Sequence, residues 1–292
     1  MKTYDAQCVL PLDAELGEGP VYLPEQARLY FVDIKRGFVH CLDERSGAHQ
    51  QWTMPDLACW LIPRRDGDGF IAGLRDRVVH LRLAPVPTLV PLVHPLAGQA
   101  GVRLNDAKAD PQGRIWFGSM HDTDQAQAVG TLFRLDTDLT LHRMDSGYHI
   151  CNGPAVSEDG RTLYHADSYL GEVYRYEVDD AGALGPRSAW QRFTGSSPDG
   201  MNTDREGAVW IAHWGGRCVR RYAPDGTLLA EVRVPVSQPS SIAFGGADLR
   251  TLYITTAREG LTPEQLAAEP LAGCIFSARI DVAGLAPNRF GA

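Results

Sequence analysis

One short strand with an aromatic residue near its centre returns six times along this chain, and that recurrence restricts the fold more than any other feature. The copies are Arg28-Leu29-Tyr30-Phe31-Val32, Gly69-Phe70-Ile71-Ala72, Arg114-Ile115-Trp116-Phe117-Gly118, Thr162-Leu163-Tyr164-His165-Ala166, Ala208-Val209-Trp210-Ile211-Ala212 and Thr251-Leu252-Tyr253-Ile254-Thr255. Their aromatics, Tyr30, Phe70, Trp116, Tyr164, Trp210 and Tyr253, lie 40, 46, 48, 46 and 43 residues apart. A period near 45 with several short strands per unit predicts a blade of a β-propeller. Further alternating segments, such as Gly171-Glu172-Val173-Tyr174-Arg175-Tyr176, follow each marker strand and predict half-buried antiparallel partners. The fold class is therefore all-β, a six-bladed propeller around a central channel, in one domain spanning residues 1–292. The early segment Ala6-Gln7-Cys8-Val9-Leu10 is expected to supply the outer strand of the sixth blade and close the ring, leaving fewer exposed sheet edges. Thr262-Pro263-Glu264-Gln265-Leu266 carries the residues of a helix start and predicts one short helix.

A turn rich in Asp and Gly precedes the marker strand in several units: Asp110-Pro111-Gln112-Gly113, Ser157-Glu158-Asp159-Gly160 and Asp204-Arg205-Glu206-Gly207. Asp bonds its own backbone there and Gly accepts positive φ, so Asp110, Asp159 and Asp204 are read as structural. The candidate site lies where units carry polar residues at a corresponding place. Glu18 and Asn152 sit 12 residues before their marker aromatics, and Asn105 and Asp199 sit 11 before theirs. In a propeller these positions open the innermost strands of blades one, four, three and five, so the four side chains are expected to converge at one mouth of the channel. Glu18, Asn152 and Asp199 then form an all-oxygen set suited to a hard divalent cation such as Ca²⁺, Mg²⁺ or Mn²⁺. Gly19, Gly153 and Gly200 beside them are expected to let the backbone approach a bound ion or substrate.

Other chemistries lack their residues. The chain contains no GxSxG, HExxH or phosphate-loop pattern, and its histidines show no ligand spacing. With 28 Lys+Arg against 36 Asp+Glu and no basic run, neither nucleic acid nor an anionic membrane is an expected partner. No apolar run reaches membrane-spanning length, and the first residues lack a signal-peptide pattern, so a cytoplasmic location is expected. The six cysteines form no CxxC pair and are read as reduced, mostly buried thiols. Among the tryptophans Trp116, Trp190 and Trp210 read as packing residues, whereas Trp60 is a candidate pocket residue.

At these residues the sequence resembles the SMP-30/gluconolactonase family. The likeness runs through Leu16-Gly17-Glu18-Gly19-Pro20, Arg103-Leu104-Asn105-Asp106-Ala107-Lys108, Gly118-Ser119-Met120-His121-Asp122, Asn152-Gly153-Pro154 and Pro198-Asp199-Gly200-Met201. The resemblance implies a six-bladed propeller with one divalent cation (Ca, Mn, Mg, Zn or Fe) held by Glu18, Asn152 and Asp199. It implies a substrate reached by Arg103 and Asn105. His121 is a further substrate-binding candidate. The implied activity is hydrolysis of a sugar-acid lactone such as glucono-, xylono- or arabinolactone. Asp199, at once a candidate ligand and a nearby carboxylate, is the expected general base, and the protein is expected to act as a monomer. Two alternatives stand beside it: an esterase or organophosphate hydrolase with a broader, more apolar pocket, or a non-enzymatic propeller that binds protein. Trp60, His121 and Tyr148 are candidate lining residues for either kind of hydrolase pocket.

Overall fold

The computed structural model describes residues 1–291, and six sheets, antiparallel except for one added edge strand, follow one another around a ring. Blade one comprises Gly17–Leu23, Arg28–Asp33, Phe38–Asp43 and His49–Thr53. The innermost strands of the next five blades are Ala58–Pro63, Val102–Ala109, Cys151–Val156, Ser197–Thr203 and Pro239–Gly245. Each marker aromatic lies on the second strand of its blade, so the repeat read from the sequence is the blade repeat. The innermost strands are almost wholly buried, because neighbouring blades cover them on both faces. Outermost strands such as His49–Thr53 remain largely exposed.

The marker aromatics fasten blade to blade. Tyr30 meets Phe70 of blade two with ring centroids 4.9 Å apart, and Trp210 meets Phe244 of blade six at 6.1 Å. Full burial of such a ring contributes roughly 1.5–3 kcal/mol. The recurring Asp has a second use. Asp110 Oδ2 accepts from Trp116 Nε1 at 2.9 Å and from Arg114 Nε at 2.7 Å. Asp204 Oδ2 accepts likewise from Trp210 Nε1 at 2.8 Å and Arg221 Nε at 2.7 Å. The turn thus also satisfies the indole N–H and one arginine beneath it.

Gln7–Leu10 pairs antiparallel with Ile275–Arg279 and supplies the outer strand of blade six, as expected. The preceding strand, Lys2–Asp5, pairs parallel with Leu228–Arg233 and gives blade five a fifth strand. The first ten residues therefore tie together two blades, one more than the sequence reading assigned. The end of the described chain has a role the sequence did not suggest. Residues 283–291 cross the lower mouth of the channel, where Ala283 O accepts from Arg205 N, Phe290 N donates to Pro63 O, and Gly291 N donates to Gly113 O. Leu285, Ala286, Pro287 and Asn288 there close a small cavity over Lys108. The single helix among the described residues, Pro263–Ala268, starts at Thr262 with a reciprocal bond pair to Gln265. Among the described residues no helix is long and apolar enough to cross a membrane. All six cysteines are free, and all but Cys8 are buried.

Candidate functional site

The four polar residues reach the same end of the channel because every innermost strand is bulged there. Register shifts fall between Glu18 and Val21, Leu104 and Ala107, Asn152 and Ala155, and Pro198 and Met201. Glu18 and Asn152 are the last paired residues before their bulges. Asn105 and Asp199 are the first unpaired residues within theirs. Each of the four lies three residues before the partner of its marker aromatic (Val21, Lys108, Ala155 and Asn202), so they share one place in the blade. The offsets of 12 and 11 differ because the hairpin loop that follows is longer in blades one and four, and the bulge turns all four toward the axis, a frequent use of bulges beside sites.

Together with Arg103, these four line a 470 Å³ cavity at the upper mouth. A larger 680 Å³ depression between blades one and two lies at the opposite end, beside Leu23, Pro63 and Arg64, away from these residues. The glycines act differently from the sequence reading. A Cβ on Gly153, at φ 41°, would fall 2.3 Å from Asp199 O, and one on Gly200 would fall 2.0 Å from Ser241 Oγ. Their lack of a side chain lets adjacent innermost strands approach each other.

A hydrogen-bonded row fixes the wall of the cavity. Asp122 Oδ1 accepts from Arg103 Nε at 3.0 Å, and Arg103 Nη1 donates to Asn105 Oδ1 at 2.6 Å. Asn105 Nδ2 donates to Asn152 Oδ1 at 2.7 Å, and Asn152 Nδ2 donates to Ser168 Oγ at 2.9 Å. Ser168 Oγ donates onward to Pro198 O at 2.6 Å. Both amides therefore have their oxygen and nitrogen ends assigned by their neighbours, and Asn152 Oδ1 keeps a second lone pair.

Facing this row are buried carboxylates. Glu18 Oε2 accepts only from its neighbour Gly19 N, at 2.9 Å. Asp199 Oδ1 is buried and has no hydrogen-bond partner among the described residues. Burial, and then the charge of Asp106, holds the Glu18 carboxyl well above its usual range. Burial, then the charge of Glu18 and of Asp106, does the same to Asp199. Asp106 is raised by burial as well, and burial lowers the half-buried ammonium of Lys108 below it. Carboxylates gathered in this way are costly unless a cation joins them. Among the described residues no group of three or more His, Cys, Asp or Glu is arranged to hold a metal, so an amide oxygen has to complete any donor set. Glu18, Asp199 and Asn152 Oδ1 provide two charges and three oxygens, which fit a hard divalent cation.

Residues 16–258 match the family model described as SMP-30/gluconolactonase/LRE-like region. The chain belongs to this family. It is 36% identical to 6-deoxy-6-sulfogluconolactonase of Pseudomonas putida, over 97% of this chain and 98% of that protein. It is 38% identical to a pentonolactonase of Haloferax volcanii, over 85% of this chain and 84% of the other. Among solved structures, a calcium-binding protein, regucalcin, from Agrobacterium tumefaciens superposes with a TM-score of 0.94 at 26% identity, covering 100% of this chain and 99% of that one.

Within this SMP-30/gluconolactonase frame, three pocket candidates fall elsewhere. His121 does not line the cavity; its Nδ1 accepts from Asp124 N at 2.9 Å and Thr123 N at 3.3 Å, shaping the loop after its strand. Trp60 is buried in the core, with its ring against Phe117 at 5.6 Å. Tyr148 is fully buried and bonds Tyr176 and Asp145. Tyr169 and Trp214 are the aromatics at the mouth. The sequence reading also missed Asp106, whose Oδ2 accepts from Gly153 N at 3.1 Å, and Asp122, which anchors Arg103. Asp106 escaped notice because strict alternation would turn it away from Asn105, and the bulge suspends alternation there.

Proposed function

We propose that this protein hydrolyses sugar-acid lactones with the help of one divalent cation held by Glu18, Asn152 and Asp199. The observation that carries this reading is the buried, unpartnered Asp199 Oδ1 beside Glu18 in a cavity whose remaining wall donates hydrogen bonds. The lactonases among its relatives support the substrate class. When bound, the cation would polarise the lactone carbonyl and offset the negative charge that builds there as water adds.

The chain's own residues have separable tasks. Arg103 commits Nε to Asp122 and Nη1 to Leu104 O and Asn105 Oδ1, leaving Nη2 to donate to a substrate oxygen. Asn105 holds Asn152 Oδ1 in place. Asp199 takes a proton from the attacking water and returns it to the ring oxygen as the ring C–O bond breaks, giving the free hydroxy acid. Asp199 works as a base in its ionised form, which burial disfavours and which a bound cation would restore. No nucleophilic Ser or Cys is required. A panel of aldonolactones and aryl esters, followed by acid release, tests the reading. Turnover confined to aryl esters would overturn it.

A further inference from the structure

We propose that a second sugar subsite adjoins the lactone cavity, in the groove between blades four and five, and that it takes the glycosyl substituent of a glycosylated aldonolactone. This rests on the lactonase reading and extends it to a substrate class, disaccharide lactones with the lactone at the reducing end.

The groove has a volume of 350 Å³, within the range of small-ligand sites. It shares Tyr169, Ser197 and Trp214 with the lactone cavity, so the two form one continuous surface. One side is the tip of a blade-four turn, Ser168-Tyr169-Leu170-Gly171, closed by Gly171 N donating to Ser168 O at 3.2 Å. Tyr169 is 51% exposed, yet its ring is held by stacking on His149, with centroids 4.8 Å apart and planes 16° from parallel. Leu170 is exposed beside it. The other side is the entry to blade five, where Ser197 pairs with Trp214. Phe193 N donates to Gly171 O at 2.8 Å, continuing the pairing of Glu172 with Arg192 within blade four, and the chain then runs through Gly195 and Ser196 into blade five.

Three features suit a pyranosyl ring. Aromatic faces carry negative potential and attract the C–H faces of a sugar. The wall is otherwise small and hydroxylic at Gly195, Ser196 and Ser197. Nothing lies within 4 Å of where a Cβ on Gly195 would sit, so the groove is open to solvent there, as an outer sugar requires. Ser168, at the base of the turn, bonds both Asn152 Nδ2 and Pro198 O, so the groove has a fixed position relative to the candidate cation set. In the reaction, water adds to the lactone carbonyl carbon and the ring C–O bond breaks. The glycosidic bond stays intact, and the product is the aldobionic acid.

The test compares gluconolactone with lactobionolactone, its 4-O-galactosyl derivative, on the wild type and on Leu170→Trp, which fills the groove without touching the lactone cavity. The wild type is expected to hydrolyse lactobionolactone with a kcat/KM at least equal to that for gluconolactone. Leu170→Trp is expected to lower only the disaccharide value, by tenfold or more, and Tyr169→Ala to lower the ratio of the two. Equal effects on both substrates, or a wild type that turns over gluconolactone alone, would overturn the subsite and leave the lactonase reading standing. If neither lactone turns over, the lactonase reading fails. Calorimetry then decides the groove separately: tighter binding of lactobionate than of gluconate, lost in Leu170→Trp, supports it, and equal affinity refutes it.

Discussion

Asn105 Nδ2 and Asn152 Oδ1, 47 residues apart in sequence, meet at 2.7 Å and join the innermost strands of blades three and four. That bond decides which end of the Asn152 amide faces the buried carboxylates. An orienting partner of this kind typically changes metal affinity 10–100-fold when removed. Asn105→Ala should therefore weaken divalent-cation binding by about that factor while the protein stays folded. Cation titration followed by calorimetry checks it; unchanged affinity would show that Asn152 orients itself.

Arg103→Ala should leave cation binding nearly intact and lower kcat/KM for aldonolactones. Loss of a charge-assisted bond to substrate costs about 1.5–3 kcal/mol, or roughly 10–150-fold. Asp122→Asn should produce a smaller loss in the same direction, because Asp122 holds Arg103 without lining the cavity. Steady-state kinetics on both variants, with cation content measured alongside, distinguishes the two effects.

Asp199 and Asp204 lie five residues apart and separate function from scaffold. Asp199→Asn should abolish lactone hydrolysis with little loss of stability, since its Oδ1 bonds nothing in the fold. Asp204→Asn should keep turnover per folded molecule and lower the thermal midpoint. Its carboxylate holds Trp210, Arg221 and two backbone N–H groups, and removal of one partner of a buried ion pair costs about 3–5 kcal/mol. The reverse pattern in turnover and melting would break the link between blade position and role.

Stability should also fall on the acid side. Burial lowers His165 and His213 to about 3, well below the ordinary histidine value. The unfolded chain then takes up protons below about pH 6.5 that the folded chain refuses. The contribution is complete above that pH and is lost as the pH falls toward 3, by about 1.4 kcal/mol per pH unit for each group. Neither ring nitrogen of His165 has a partner, and the matching position holds Phe31 and Phe117 in blades one and three. His165→Phe should flatten the decline between pH 6 and pH 4 in denaturant titrations. An unchanged slope would place the acid sensitivity elsewhere.

The ring, its closure by Gln7–Leu10 and the helix start at Thr262 were legible because each depends on local pattern: period, alternation and capping residues. The convergence of Glu18, Asn105, Asn152 and Asp199 was legible from blade position alone. What escaped depended on contacts distant in sequence. Lys2–Asp5 joins blade five through a parallel pairing more than 220 residues away, with no pattern to announce it. The crossing of residues 283–291 under the channel rests on backbone bonds to Pro63, Gly113 and Arg205, which side-chain identity does not encode. His121 looked like a site residue because it ends the strand of a recognised motif, yet its ring turns to the loop at Thr123 and Asp124. Trp60 was read as a candidate pocket residue, yet it fills the space over Gly73, where a Cβ would lie 2.2 Å from the indole.

Acid release from gluconolactone and arabinolactone, before chelation, after chelation and after return of single divalent cations, tests the central claim most directly. Turnover should vanish with the chelator, return with a hard divalent cation, and stay absent in Glu18→Gln and Asp199→Asn whatever cation is added. Full turnover in the chelated wild type, or an undiminished rate in either variant, would contradict the assignment of Glu18, Asn152 and Asp199 as the cation site of a sugar lactonase.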